Sequence, residues 1–170
     1  EPALVERFAG LIGRGEGLKV GLVWTGAPIH RRDRERSIAF AKLAPLLSMA
    51  GVRYFSLQKP TPPYAIAPMT DLSAHLSDFA HTAAAVANLD LVISIDTSVA
   101  HLAGAMGKEA WVLLAPNADW RWLLDRADSP WYPTLRLFRR GFKEPRARQV
   151  ERVVQTLQAR LAPAQPAPAA

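Results

Sequence analysis

None of the 170 residues is cysteine, which excludes a disulfide framework, a zinc-thiolate site and a thiol nucleophile. That composition is compatible with a reducing compartment, and the cytoplasm is the expected location. No apolar run reaches the roughly 18 residues that a membrane-spanning helix needs, so no transmembrane segment is expected. No G-x-G-x-x-G follows an apolar strand. Gly13-Arg-Gly-Glu-Gly17 precedes the first strand and reads as a flexible lead-in, which sets aside a nicotinamide-dependent dehydrogenase. A carboxylate pair at metal-ligand spacing is also lacking, so no metal is expected, and no cofactor is assigned. The formal net charge is +6, yet recognition-helix, RNP and zinc-finger patterns are absent. The basic runs His30–Arg36 and Arg136–Arg140 attract phosphates, but a charge run is usually a solvated surface, the first is interleaved with acids, and only Arg36 is assigned a phosphate role, by its position. The opening Glu1-Pro-Ala-Leu-Val-Glu-Arg-Phe has neither an initiator Met nor a signal-peptide pattern, as expected for a piece of a longer protein.

What is present is 49% hydrophobic and 21% charged, enough for one globular domain with a real core. Apolar strands alternate with helical segments, the pattern of an α/β fold on a parallel sheet. Strands are predicted at 18–24, 52–57, 71–76, 91–95, 110–114 and 135–138. Helices are predicted at 2–12, 40–50, 79–88 with Asp78 as cap, 97–106 and 147–161. The segments 25–37 and 58–70 read as loops, the second carrying Pro60, Pro62, Pro63 and Pro68. Residues 1–17 form an N-terminal helix and lead-in, 18–162 the ligand-binding domain, and 163–170 a Pro/Ala tail expected to be disordered.

The most informative run is Leu91-Val-Ile-Ser-Ile-Asp96-Thr-Ser-Val-Ala-His101-Leu-Ala-Gly-Ala-Met-Gly107. A buried strand ends in Asp96, Thr97 and Ser98, all strong N-cap residues, and a small-residue helix begins at once. Free N–H groups and the positive end of the dipole make such a junction an anion site. His101 lies four residues after Thr97 on the same helix face. The plainer alternative is a capped helix with a structural histidine.

Ligands of open α/β sheets bind beyond the carboxyl ends of the strands, where several loops here carry polar groups. These are Thr25, His30 and Arg36, then Gln58 and Lys59, then Asp96 to Ser98, then Asp119 and Arg121. Trp120, Trp122, Trp131 and Tyr132 are expected to pack in the core before they stack on a base or sugar.

Taken together, GLVWTGAPIHRRDRERSI (Gly21 to Ile38), SLQK (Ser56 to Lys59), Asp71 to Lys108 and DWRWLLDRADSPWYPTLRLFR (Asp119 to Arg139) resemble the donor-binding half of a GT-B glycosyltransferase. The family is the heptosyltransferase-like family 9, and in particular its bacterial tetratricopeptide-repeat members. The resemblance covers most of residues 18–140 and implies a Rossmann-like parallel sheet with helices on both faces, one half of a GT-B fold. DTSVAHLAGA resembles the D-T-x-x-x-H-L element. By position it implies that Asp96, Thr97, Ser98 and His101 contact a donor diphosphate, with Arg36 as a basic phosphate ligand.

By the same resemblance, Gln58 and Lys59 become candidates for the nucleoside, and Thr25, His30, Asp119 and Arg121 for sugar or loop contacts. The implied reaction is metal-independent, inverting sugar transfer from a nucleotide-diphosphate donor to a sugar or protein acceptor. The acceptor site and general base are expected in an upstream half or repeat domain, so no catalytic residue is assigned and the chain alone is expected to be inactive. The alternative is a non-catalytic nucleotide-sugar-binding or protein-interaction module.

Overall fold

The computed structural model describes residues 1–59 and 66–162. Pro60, Pro62 and Pro63 and the tail from Pro163 lie outside the described residues. The sheet has six strands, all parallel: β1 (Leu18–Val23), β2 (Val52–Ser56), β3 (Thr70–Asp71), β4 (Leu91–Ile95), β5 (Ala110–Leu114) and β6 (Leu135–Arg139). Their spatial order is β3-β2-β1-β4-β5-β6. The winding therefore reverses between β1 and β4, and that reversal opens a crevice beyond the carboxyl ends of these two strands.

Helices cover both faces. On one side lie α1 (Pro2–Ile12), α4 (Phe79–Ala87) and α5 (Ser98–Ala105), on the other α3 (Ala44–Leu47) and α6 (Arg146–Leu161). Strand residues divide between the two layers with period two. Leu91, Ile93 and Ile95 pack towards α3 and α6, whereas Val92 packs towards α4 and α5. Burial on both faces is why β4 and β5 read as continuous apolar runs rather than alternating ones. The α/β class, the parallel sheet and the two helical layers are as expected.

Local chemistry accounts for the departures from expectation. The helix predicted over 40–50 is a 3₁₀ turn (Phe40–Leu43) running into α3, because Pro45 has no N–H to donate and fits only a first helical turn. The strand predicted over 71–76 is confined to β3. The Asp71 carboxylate accepts from the Ser73 N–H (2.9 Å) and turns the chain into a 3₁₀ turn, Ser73–His75. The loop predicted over 25–37 contains a one-turn helix, α2 (Asp33–Arg36). The lead-in is not free: Arg53 donates to the carbonyls of Ile12 (2.6 Å), Gly13 (3.4 Å) and Gly15 (3.2 Å), tying it to β2. No described helix is long and apolar enough to cross a membrane.

Candidate functional site

The start of α5 sits at the end of β4, on the switch point. Its N-cap is Thr97, with extended backbone (φ −142°, ψ 168°), and not Asp96, which lies one residue earlier. Thr97 does not cap with its side chain. Its hydroxyl is engaged with Ser94 Oγ (2.9 Å), which in turn donates to the Ile95 carbonyl (2.7 Å). The Ala100 and His101 N–H groups both turn back to Thr97 O (3.1 and 3.4 Å). Among the described residues no acceptor meets the N–H of Ser98 or Val99, or the Ser98 hydroxyl. The helix therefore presents open donors where its dipole is most positive.

Arg36 reaches this point from α2. Its Nη1 donates to the Asp96 carbonyl (3.0 Å) and its Nε to Asp33 Oδ1 (3.1 Å), while Ser37 Oγ donates to the other Asp33 oxygen (3.0 Å). This cluster lies flat on Gly26, where a Cβ would stand 2.3 Å from Asp33 Oδ1 and 2.4 Å from Arg36 Nη2. A side chain here would push the Asp33 carboxylate and the Arg36 guanidinium out of this arrangement. Arg32 is different: it pairs with Glu35 at 3.5 Å, both side chains about half exposed.

His101 is held on three sides. Its ring stacks on the fully buried Trp122 (centroids 4.8 Å apart, 22° between planes), Nδ1 meets the Tyr132 hydroxyl at 3.3 Å, and Nε2 lies 3.9 Å from Asp96 Oδ1. Tyr132 reaches it because residue 104 is glycine; a Cβ there would be 2.5 Å from the tyrosine ring.

Two cavities flank the helix start and share Thr97 and Ser98. One, of about 440 Å³, brings together His30, Arg36, Asp96, His101, Asp119 and Arg121. The other, of about 300 Å³, contains Thr25, Gln58 and Lys59. The apolar part of the latter's lining includes Leu57, Leu76, Phe79 and Val99, and Asp78 also borders it.

Within this arrangement Gln58 is engaged in holding the loop. It is buried, its Oε1 accepts from the N–H of Trp24 (3.2 Å) and Thr25 (3.0 Å), and its Nε2 donates to the carbonyls of Thr25 (3.1 Å) and Lys59 (3.0 Å). Lys59 is exposed and donates to Ser73 O (3.2 Å). His30 is exposed on the rim. Asp119 pairs with Arg121 at 2.8 Å. Partial burial opposes ionisation of Asp119, yet the Arg121 N–H and guanidinium, with the charges of Arg121 and His101, hold its carboxyl below the ordinary range.

Sequence reasoning passed over Ser94, Asp33, Gly26, Tyr132 as a partner of His101, and Phe79, which is 61% exposed beside the second cavity. Only Asp33 carried a local signal, its i, i+3 spacing to Arg36 on one helical turn. Of the aromatic residues expected to pack in the core, Trp122 is buried and Tyr132 packs against it partly buried, whereas Trp120 and Trp131 are exposed, contrary to expectation; Trp24 and Trp111 are core residues. Among the described residues no three His, Asp or Glu side chains converge as a metal-binding group.

No family model matches the chain. Protein FlbA of Caulobacter vibrioides is 30% identical over 152 residues, covering 81% of this chain and 25% of that protein. The chain thus spans a quarter of the length of this relative. A solved structure of a family 9 glycosyltransferase from Veillonella parvula superposes with a TM-score of 0.58 at 12% identity, over 89% of this chain and 44% of that one. The fold is glycosyltransferase-like.

Proposed function

We propose that this chain is the donor-binding half of a GT-B glycosyltransferase, holding a nucleotide-diphosphate sugar whose sugar is transferred, with inversion and without a metal, to a sugar or protein acceptor. The observation that carries the reading is the start of α5: open N–H donors at Ser98 and Val99, placed on the switch point, shared by two cavities and faced by Arg36. A diphosphate fits that shared point. The more apolar cavity, with Phe79 at its side and Lys59 at its mouth, takes the nucleoside. The more polar one, with His30, His101, Asp119 and Arg121, takes the sugar.

As the sugar leaves, negative charge builds on the diphosphate. The helix N-terminus, Arg36 and the Ser98 hydroxyl meet it without having to reorganise, which is where fixed dipoles contribute most to a rate. The general base and the acceptor site belong to the remainder of a longer, cytoplasmic protein, an upstream half or a repeat domain.

Titration calorimetry of the chain with UDP, GDP and ADP tests the reading. At least one should bind. Arg36→Ala should weaken it by about tenfold or more, since a charge-assisted hydrogen bond contributes roughly 1.5–3 kcal/mol. Arg32→Ala, which removes a half-exposed cation on the same cavity already paired with Glu35, should change it much less. No binding of any of the three at millimolar concentration overturns the proposal, and equal losses in the two variants reduce it to a diffuse basic surface.

A further inference from the structure

Arg146 opens α6 and is buried, with 8% of its surface exposed. Among the described residues no carboxylate lies within ion-pair distance of it. Burial, with the neighbouring Arg140 charge, pulls its pKa down to about 10. A buried cation without a counter-charge is costly, so its hydrogen bonds matter. Nη1 donates to Gln149 Oε1 (2.7 Å), and Nη2 donates to the carbonyls of Glu35 and, at 3.2 Å, of Arg36.

These two carbonyls close α2, a one-turn helix with no buried residue of its own. Beyond its end, Ser37 Oγ accepts from the Gly26 N–H (3.1 Å) and Ile38 enters the core with its N–H on the Trp24 carbonyl (2.8 Å), so the Glu35 and Arg36 carbonyls are the part of the turn that Arg146 alone secures from α6. Gln149 is fully buried and donates to Leu114 O (2.9 Å) and Phe138 O (2.5 Å), so the anchor extends to the carboxyl ends of β5 and β6. The path runs from the rigid sheet through Gln149 and Arg146 to the α2 carbonyls, and so to the guanidinium that reaches Asp96 O.

We propose that Arg146 is a positioning residue for Arg36: it locks the turn that carries Arg36 to the start of α5, and so sets the geometry with which a diphosphate is held. The inference rests on the reading of Arg36 as a phosphate ligand. The planar fork of arginine is needed because one side chain must serve two backbone carbonyls and a side-chain amide at once, which a lysine ammonium on a flexible stem does not do.

The experiment pairs Arg146→Lys with Arg36→Ala, alone and together. Affinity for UDP, GDP, ADP and pyrophosphate is measured by calorimetry, and the Arg36 Nε–H signal is followed by nitrogen-15 NMR. Arg146→Lys should lose about tenfold in affinity and broaden or shift the Arg36 signal, with less than a twofold further loss when Arg36 is already alanine. An unchanged Arg36 signal with wild-type affinity, or the same loss in both backgrounds, overturns the inference. If the wild-type chain binds none of the probes, the donor-site reading fails, and the Arg36 signal alone still decides whether Arg146 holds the turn. Should Arg146→Lys not fold, Arg146→Met keeps the stem, drops the donors and is read in the same way.

Discussion

His101 shows how a single residue combines packing with polarity. One ring face covers Trp122, while the nitrogens face Tyr132 and Asp96. Truncation to alanine would remove both roles and confound them. His101→Phe separates them, because it keeps an aromatic face on Trp122 and deletes both nitrogens. Its stability should stay within about 1 kcal/mol of wild type by thermal melting. Its nucleoside-diphosphate affinity should fall about tenfold in calorimetry. Normal affinity in a folded His101→Phe protein would make the histidine a packing residue. The identity of His101 was legible from its spacing after Thr97, but its partners were not. Trp122 and Tyr132 come from a segment twenty or more residues further on, and only close approach at Gly104 brings Tyr132 to it.

At the scale of elements, α4 and α5 end differently at their amino termini. Asp78 caps α4 with its side chain, accepting from the His81 N–H (2.9 Å), whereas no side chain caps α5. The capped helix satisfies a donor of its own first turn, whereas the uncapped one leaves its donors open, as the proposed diphosphate site requires. The backbone bond from His81, followed by its side-chain bond, holds the Asp78 carboxyl below its ordinary value. A lowered carboxylate contributes stability above its unfolded pKa, near 4, and loses it as pH falls through the folded value. Asp78→Asn keeps a good cap, so it should melt close to wild type at pH 7 and show a shallower loss of stability below about pH 4. Asp78→Ala should melt earlier at pH 7. Urea midpoints for the three proteins at pH 7, 4 and 3 check this, and an unchanged acid slope in Asp78→Asn would remove Asp78 from the acid response.

Over the whole molecule, the crevice beyond β1 and β4 is built by one sheet, and the chain spans 44% of the glycosyltransferase whose fold it shares. The purified chain should therefore bind a nucleoside diphosphate yet transfer no sugar from UDP-, GDP- or ADP-sugar donors to added acceptors. A longer protein that contains it should show transfer, read as released nucleotide with sugar-modified acceptor. Transfer by the chain alone would place the acceptor site and base within these residues.

Local pattern alone determined much of this protein. Two-sided apolar runs set the α/β class and the strands β4 and β5, helical periodicity set α1 and α6, and the Asp-Thr-Ser start after β4 pointed to the candidate site. Each of these is encoded by side chains within a few residues of one another. Only the tertiary structure decided the rest. Thr97 rather than Asp96 became the cap because Ser94 and Arg36 engage the two residues from other parts of the turn and of the chain. Gln58 became a loop clamp because the ends of β1 and β2 lie side by side, and Arg146 came under α2 across 110 residues. Hydrogen bonds between distant segments leave no periodicity in the sequence, since their partners are fixed by how helices and strands pack and not by spacing along the chain.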